Sequence, residues 1–239
     1  MGQDGYEQVA GIHRLEADPD DMPLSKAEIL SKWCDSHTII DAEGYRFADA
    51  ELVAHVRRNS IGLPKGDAGS TFANWDGYCS VAKDFARRVR DWAHAWHEDQ
   101  QHHSLLLSGP TGCGKTHLAT AALKTFASRS MTPQYAHFER MLINITSGGW
   151  DADPVGDYAA MPALLIDDYG AKDGSRAQMD KIQAVLSMRI ADLSPTIVTT
   201  NIEFPLGVTS KQMDDRLKSR MGYAYEVVQV RLDDYRVKI

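Results

Sequence analysis

Gly109-Pro110-Thr111-Gly112-Cys113-Gly114-Lys115-Thr116 is the stretch on which the reading of the whole chain turns. Its spacing is G-x-x-x-x-G-K-T. Glycines in such a loop let the backbone bend until its N–H groups converge on phosphate oxygens. The lysine then meets the outer phosphates, and the threonine hydroxyl meets Mg²⁺. The flanks agree with this. Ser104 to Ser108 is a short apolar, strand-like run into the loop, and Thr116 to Phe126 reads as a helix leaving it. Leu118, Ala119, Ala122, Leu123 and Phe126 fall on one side of that helix. A phosphate would then lie at a helix N-terminus, where unpaired N–H groups and the helix dipole both favour an anion. The expected contacts of a bound nucleoside triphosphate are Gly109, Pro110, Thr111, Gly112, Cys113, Gly114, Lys115, Thr116 and His117.

Beyond the loop, strand-like and helix-like segments alternate. Gln134–Phe138, Ala163–Asp168, Thr196–Thr200 and Val227–Leu232 read as strands. Glu139–Thr146, Arg176–Leu193 and Ser210–Met221 read as helices, and Ser147 to Pro154 as a loop. With Ser104–Ser108 this makes five strands. Such alternation implies an α/β fold with a parallel five-stranded sheet between helices.

Leu164-Leu165-Ile166-Asp167-Asp168 supplies a second half to the site. A buried strand does not ordinarily finish in adjacent carboxylates, because burying charge without a partner is costly. Beside a Mg²⁺ held by Thr116, Asp167 has a task, ordering the metal's water shell. Asp168 can polarise an attacking water as general base. Thr199-Thr200-Asn201 closes the next strand, and Asn201 would set a neutral amide near that water and the γ-phosphate.

Upstream, the clearest helix of the chain carries Tyr78, Val81, Ala82, Phe85, Val89, Trp92, Ala93 and Trp96 at intervals of three and four. Its opposite face holds Lys83, Arg87, Arg88, Arg90 and Asp91, read as solvated. His94, His97, His102 and His103 lack acidic or cysteine partners at metal-binding spacing. Helices are expected over Ser25 to His37, opened by a Ser25/Glu28 capping box, and over Ala48 to Arg58. Ile61 to Ser70 reads as a linker. Residues 1–68 therefore form a small, mainly helical segment and 69–239 the nucleotide-binding domain.

Composition narrows the function classes. At 43% hydrophobic and 25% charged residues the chain is of ordinary globular type. No run approaches the length of about 20 apolar residues that spans a bilayer. The first 21 residues are polar and acidic, unlike a leader. Cys34, Cys79 and Cys113 are odd in number and far apart, which argues against a disulfide framework and for a reducing cytoplasm. The net charge of −7 sits mostly in residues 1–68, with 13 acidic against 7 basic side chains. That front end suits a protein partner better than DNA, whose grip depends on cations.

The phosphate loop, Leu164 to Gly170 and Thr196 to Asn201 occur in the order and spacing of AAA+ ATPases, which the chain resembles. Thr71-Phe72-Ala73-Asn74-Trp75-Asp76, ahead of the long helix, resembles the Thr-Phe-x-Asn-aromatic-Asp signature of bacterial replicative helicase loaders of the DnaC/DnaI type. Asp167-Asp168-Tyr169-Gly170-Ala171 and the terminal Asp234-Tyr235-Arg236 also look like the loaders. The related IstB transposition helpers share much of the pattern.

This resemblance implies an AAA+ P-loop NTPase whose active site is shared between neighbouring subunits, so self-association on ATP or partner binding is expected. Asp215-Arg216-Leu217-Lys218-Ser219-Arg220 looks like an arginine-finger segment, with Arg220 reaching a neighbour's γ-phosphate and Arg216 as the fallback. Arg236 is similar to the loaders' C-terminal sensor arginine. The implied function is a cytoplasmic, ATP-hydrolysing helicase loader. It would bind a replicative DNA helicase through residues 1–68 and help place it on single-stranded DNA. The other readings are an IstB-like helper acting on duplex DNA and a nucleotide-gated adaptor with little turnover. Asp168 stands where many AAA+ proteins have Glu, which puts the hydrolysis rate in question.

Overall fold

The computed structural model describes residues 62–96, 102–127, 131–147, 152–202, 215–232 and 234–235 in full, and the backbone of four short strands nearer the N-terminus. Those strands form two antiparallel ribbons, β1 (Tyr6–Val9) with β2 (Ile12–Leu15) and β3 (Thr38–Ile40) with β4 (Arg46–Ala48). Neither ribbon is expected from the sequence. The helix expected over Ser25 to His37 lies outside the described residues, as does that over Ala48 to Arg58 except for Ala48, which closes β4.

From residue 62 onward the order is α1 (Ser80–Ala95), β5 (Ser104–Ser108), α2 (Lys115–Ala127), β6 (Pro133–His137), α3 (Phe138–Asn144), α4 (Pro154–Ala159), β7 (Ala163–Tyr169), α5 (Arg176–Ala191), β8 (Thr196–Thr200), α6 (Asp215–Ala224) and β9 (Tyr225–Gln229). The five later strands form one parallel sheet in the order β6-β7-β8-β5-β9. The expected α/β sheet is therefore present.

The central strands are apolar on both faces because helices cover both. Successive side chains of a strand point to opposite faces. Leu105 and Leu107 accordingly join Phe85, Val89, Trp92, Leu118, Leu123 and Phe126 on the side of α1 and α2. Leu106 joins Phe138, Met141, Ile182, Leu186 and Met221 on the side of α3, α5 and α6. Each such buried leucine contributes about 1.5–3 kcal/mol of transfer free energy. This layering fixes the C-terminal ends of β5, β7 and β8 side by side, where the ligand crevice of an open parallel sheet lies.

Some boundaries move. Pro154, the last residue of the expected loop, opens α4 in a stretch to which the sequence assigns no element. Asp153 caps it by accepting from the Gly156 amide, and proline at N1 starts the turn rather than breaking it. α5 starts at its Ser175/Gln178 capping box and ends at Ala191, short of Leu193, which is 46% exposed at φ 54°. β9 begins at Tyr225 rather than Val227, and α6 is described from Asp215, the expected start at Ser210 lying outside the described residues. On α1, Val81 is 49% exposed instead of facing the core.

Arg189 is wholly buried on α5 and ties the lower edge of the sheet. Its guanidinium donates to Thr196 Oγ1 and to the carbonyls of Tyr158, Ala159, Met161 and Pro195. Burial pushes its pKa down to about 10.

Candidate functional site

The loop from Gly109 to Thr116 hangs from the end of β5 and runs directly into α2, as its sequence implies. Gly112 and Gly114 hold φ of 78° and 85°, the left-handed region where a side chain is strained. There is also no room for one. A Cβ on Gly114 would run into the Trp75 ring, and one on Gly112 into the Asp234 carboxylate. Lys115 is 5% exposed, and its ammonium donates to Gly109 O, Pro110 O and Asn201 Oδ1, each at 2.8 Å. The structure thus brings Asn201 to Lys115, across the tips of adjacent strands. The Cys113 thiol is buried beside the same ammonium, and burial pushes its pKa up.

Asp167 stands at the end of β7, 3% exposed, and accepts three hydroxyl hydrogen bonds. Thr116 donates from α2 at 2.9 Å, Thr199 from β8 at 2.6 Å and Tyr135 from β6 at 2.9 Å. Donors on three elements pin one carboxylate. Asp168 follows in an unusual conformation. Its φ is 55°, and the β7/β8 pairing is irregular between Ile166 and Tyr169. In a regular strand adjacent side chains would face opposite sides; this bulge re-aims the second acid so that both line the cleft. The Asp168 amide donates to Thr199 Oγ1 at 2.9 Å. Its carboxylate lies 3.9 Å from His137 Nε2. Burial first, then the Asp167 charge, raises the Asp168 pKa, and His137 opposes the rise.

The far wall is a strap, residues 62–78, clipped onto α2. Lys124 Nζ donates to Ala68 O at 2.8 Å and Ser70 O at 2.6 Å. His117 Nε2 bonds Thr71 O at 2.9 Å; the carbonyl partner makes this nitrogen the donor. Asn74 knots the turn, accepting from Thr71 and donating to Gly69 O. Trp75 donates its indole N–H to Ala82 O and packs edge-on to His117 at 5.4 Å. His117, read as a phosphate contact, thus positions the strap and lines the cleft wall. Asp67 also lines the cleft, its pKa raised by burial and then by Asp167.

Together these residues enclose a cleft of about 610 Å³, within the range of small-molecule and cofactor sites. Thr111 to His117, Asp167, Asp168 and Asn201 all line it. Arg216 and Arg220 do not. They lie on α6, Arg216 exposed and Arg220 partly so, outside the cleft of their own chain. Arg236 lies outside the described residues. Tyr135, Thr199, His137, Asp67, Trp75 and Tyr235 also belong to the site although the sequence assigns none of them a role in it. The motif Thr199-Thr200-Asn201 pointed to Asn201 alone, and Tyr135 looks like any aromatic strand residue.

The donor set suits Mg²⁺. Thr116 Oγ1 and Asp167 are hard oxygens 2.9 Å apart, and Mg²⁺ takes one or two protein oxygens beside phosphate and water. Among the described residues no group of three His, Cys, Asp or Glu side chains is placed to hold a metal.

The family model of IstB-like ATP binding proteins matches residues 52–239. The chain belongs to that family. A protein named as ATP-binding in an insertion sequence of Mycobacterium tuberculosis is 28% identical over 183 residues, covering 72% of this chain and 70% of that one. The crystal structure of the DnaC helicase loader aligns at a TM-score of 0.60 with 20% identity, over 70% of this chain and 99% of that chain. The DnaI crystal structure aligns at 0.59 with 19% identity, over 72% and 96%. This IstB-like chain therefore has the AAA+ P-loop NTPase fold, and ATP binding is the property its family carries. Among its described residues, no helix is long and apolar enough to cross a membrane.

Proposed function

We propose that the protein is an ATPase that loads a replicative DNA helicase onto single-stranded DNA, hydrolysing ATP at subunit interfaces. The observation that carries the nucleotide half of this reading is the Thr116–Asp167 hydrogen bond at the mouth of the phosphate loop. Thr116 can turn a lone pair to Mg²⁺ while its hydroxyl proton remains donated to Asp167. Bound there, Mg²⁺ would neutralise charge on the phosphate oxygens.

The chain's own residues then divide the work. Loop amides hold the phosphates, and the Lys115 ammonium exchanges two carbonyls for phosphate oxygens. Asp168, aimed by its bulge, takes the proton of the attacking water. Asn201 holds that water, and Arg220 of a neighbouring subunit reaches the γ-phosphate, with Arg216 one turn earlier as the alternative. Arg236 acts from the C-terminus on its own subunit's nucleotide. The outward position of α6 supports a contribution in trans.

The loader reading is supported by likeness of fold to DnaC and DnaI over nearly the whole of those chains. Acidic residues 1–68 suit docking on a helicase, and 69–239 form the ATPase domain. A cytoplasmic site of action follows from that role. A second reading, a transposition helper on duplex DNA, is favoured by the insertion-sequence relative. Its difficulty is electrostatic. Wrapping duplex DNA needs a broad basic surface, and residues 69–239 carry 20 acidic against 19 basic side chains.

Co-purification of the full chain with candidate replicative helicases and with transposase separates the two readings. Helicase capture, lost without residues 1–68, supports the loader; transposase capture alone refutes it. ATP turnover stimulated by helicase and DNA, and lost in Lys115→Ala, tests the ATPase. Turnover no faster than that variant's would leave a nucleotide-gated adaptor.

A further inference from the structure

If the phosphates occupy the loop beside Lys115 and Asp167, sugar and base must fill the other end of the cleft. Besides the loop and the two acids, the cleft is lined by Asn74, Trp75, Asp76, Tyr78 and Tyr235. Two of the five are already committed to the wall. The Trp75 N–H is bonded to Ala82 O and its ring is wedged at Gly114, while the Asn74 amide is bonded within its turn.

Tyr235 is held differently. Its backbone N–H donates to Gly112 O of the phosphate loop at 3.2 Å. Its hydroxyl donates to Asp76 Oδ2 of the strap at 2.8 Å. Its ring lies 5.6 Å from that of Tyr78, tilted by 33°. The C-terminal segment thus bridges loop and strap at one residue, and Tyr235 stays partly exposed where it lines the cleft. A planar ring fixed at both ends is a surface on which a planar base can stack at little entropic cost.

We propose that Tyr235 is a direct contact for the nucleoside half of the ligand, held in place by Gly112 and Asp76. This rests on the reading of the cleft as a nucleoside triphosphate site. Sodium tripolyphosphate, which has phosphates but no sugar or base, separates the two claims.

The test is calorimetric titration of the full chain with ATP and with tripolyphosphate, for wild type, Tyr235→Ala, Tyr235→Phe and Lys115→Ala. Tyr235→Ala is expected to weaken ATP binding about ten-fold and to leave tripolyphosphate within about two-fold. Tyr235→Phe keeps the ring, loses only the tie to Asp76, and falls between at about three-fold. Lys115→Ala weakens both ligands. Intact tripolyphosphate binding in the tyrosine variants certifies their fold. Unchanged ATP affinity in Tyr235→Ala overturns the proposal. So does equal loss of both ligands, which would make Tyr235 a prop for the loop. A wild type that binds tripolyphosphate no better than Lys115→Ala does overturns the phosphate-site reading beneath it.

Discussion

Replacing Thr199 by valine removes one hydroxyl and changes almost nothing else in shape. That hydroxyl is fully buried; it donates to Asp167 and accepts from the Asp168 amide. A hydrogen bond to a charged group contributes about 1.5–3 kcal/mol, and an unpaired buried N–H costs about 1–3 kcal/mol. The low end of each range applies. Asp167 keeps its donors Thr116 and Tyr135, and the half-buried Asp168 can recruit water. The sum is about 2.5 kcal/mol, a large share of the 5–15 kcal/mol of a typical domain.

A functional loss accompanies the structural one. The left-handed conformation of Asp168 costs about 1–3 kcal/mol, and Thr199 helps to hold it. Released, the backbone returns toward extended geometry and the carboxylate swings away from the water. Urea unfolding followed by circular dichroism should show the stability loss, and ATP turnover should fall about a hundred-fold. Nucleotide affinity in EDTA should hardly change, because the Lys115 contacts are untouched. Thr199→Ser should restore both quantities. A Thr199→Val protein within about 0.5 kcal/mol of wild type, turning over ATP at the wild-type rate, would refute the reasoning.

Asp168→Asn keeps a residue type that accepts positive φ while removing a carboxylate whose ionisation burial opposes. It should melt no lower than wild type and bind ATP, with turnover down by a factor of about 10²–10³. Arg189→Met strips donors from four carbonyls and the Thr196 hydroxyl. Chemical denaturation should show a loss of about 3–5 kcal/mol. His103 is 2% exposed, and burial lowers its pKa below 6.5. The unfolded chain therefore takes up that proton first, so stability is fully present above pH 6.5 and is lost as pH falls through the folded value. His103→Leu should flatten this acid-side decline in thermal melts, whereas an equal slope in both proteins would count against it.

The residues legible in the sequence were those whose chemistry is local. The phosphate loop, its helix and the apolar strand ending in Asp167 each announce themselves within ten residues, and the alternation of elements gives the sheet. What was not legible depends on tertiary placement. Nothing around Tyr135 or Thr199 shows that their hydroxyls converge on Asp167 from two other strands. The strap's contacts through Lys124 and His117, and Tyr235 meeting Asp76 across 159 positions, exist only once the chain has closed. The helix at Pro154 was missed because proline signals both an ending and a beginning, and only the Asp153 cap decides which. Apart from Ala48, which closes β4, the helices expected before residue 62 fall outside the described residues.

The kink after Ile166 also bears on why the second acid is an aspartate. Left-handed backbone is tolerated by asparagine and aspartate, whose short polar side chains can bond to nearby main chain, and much less readily by longer ones. Glutamate at 168 would extend the carboxylate's reach at the cost of the conformation that aims it. The two acids are thus coupled through their shared peptide. Lengthening the outer one is a backbone change before it is a chemical one, and any rate it alters must be interpreted with the position of Asp167 in view.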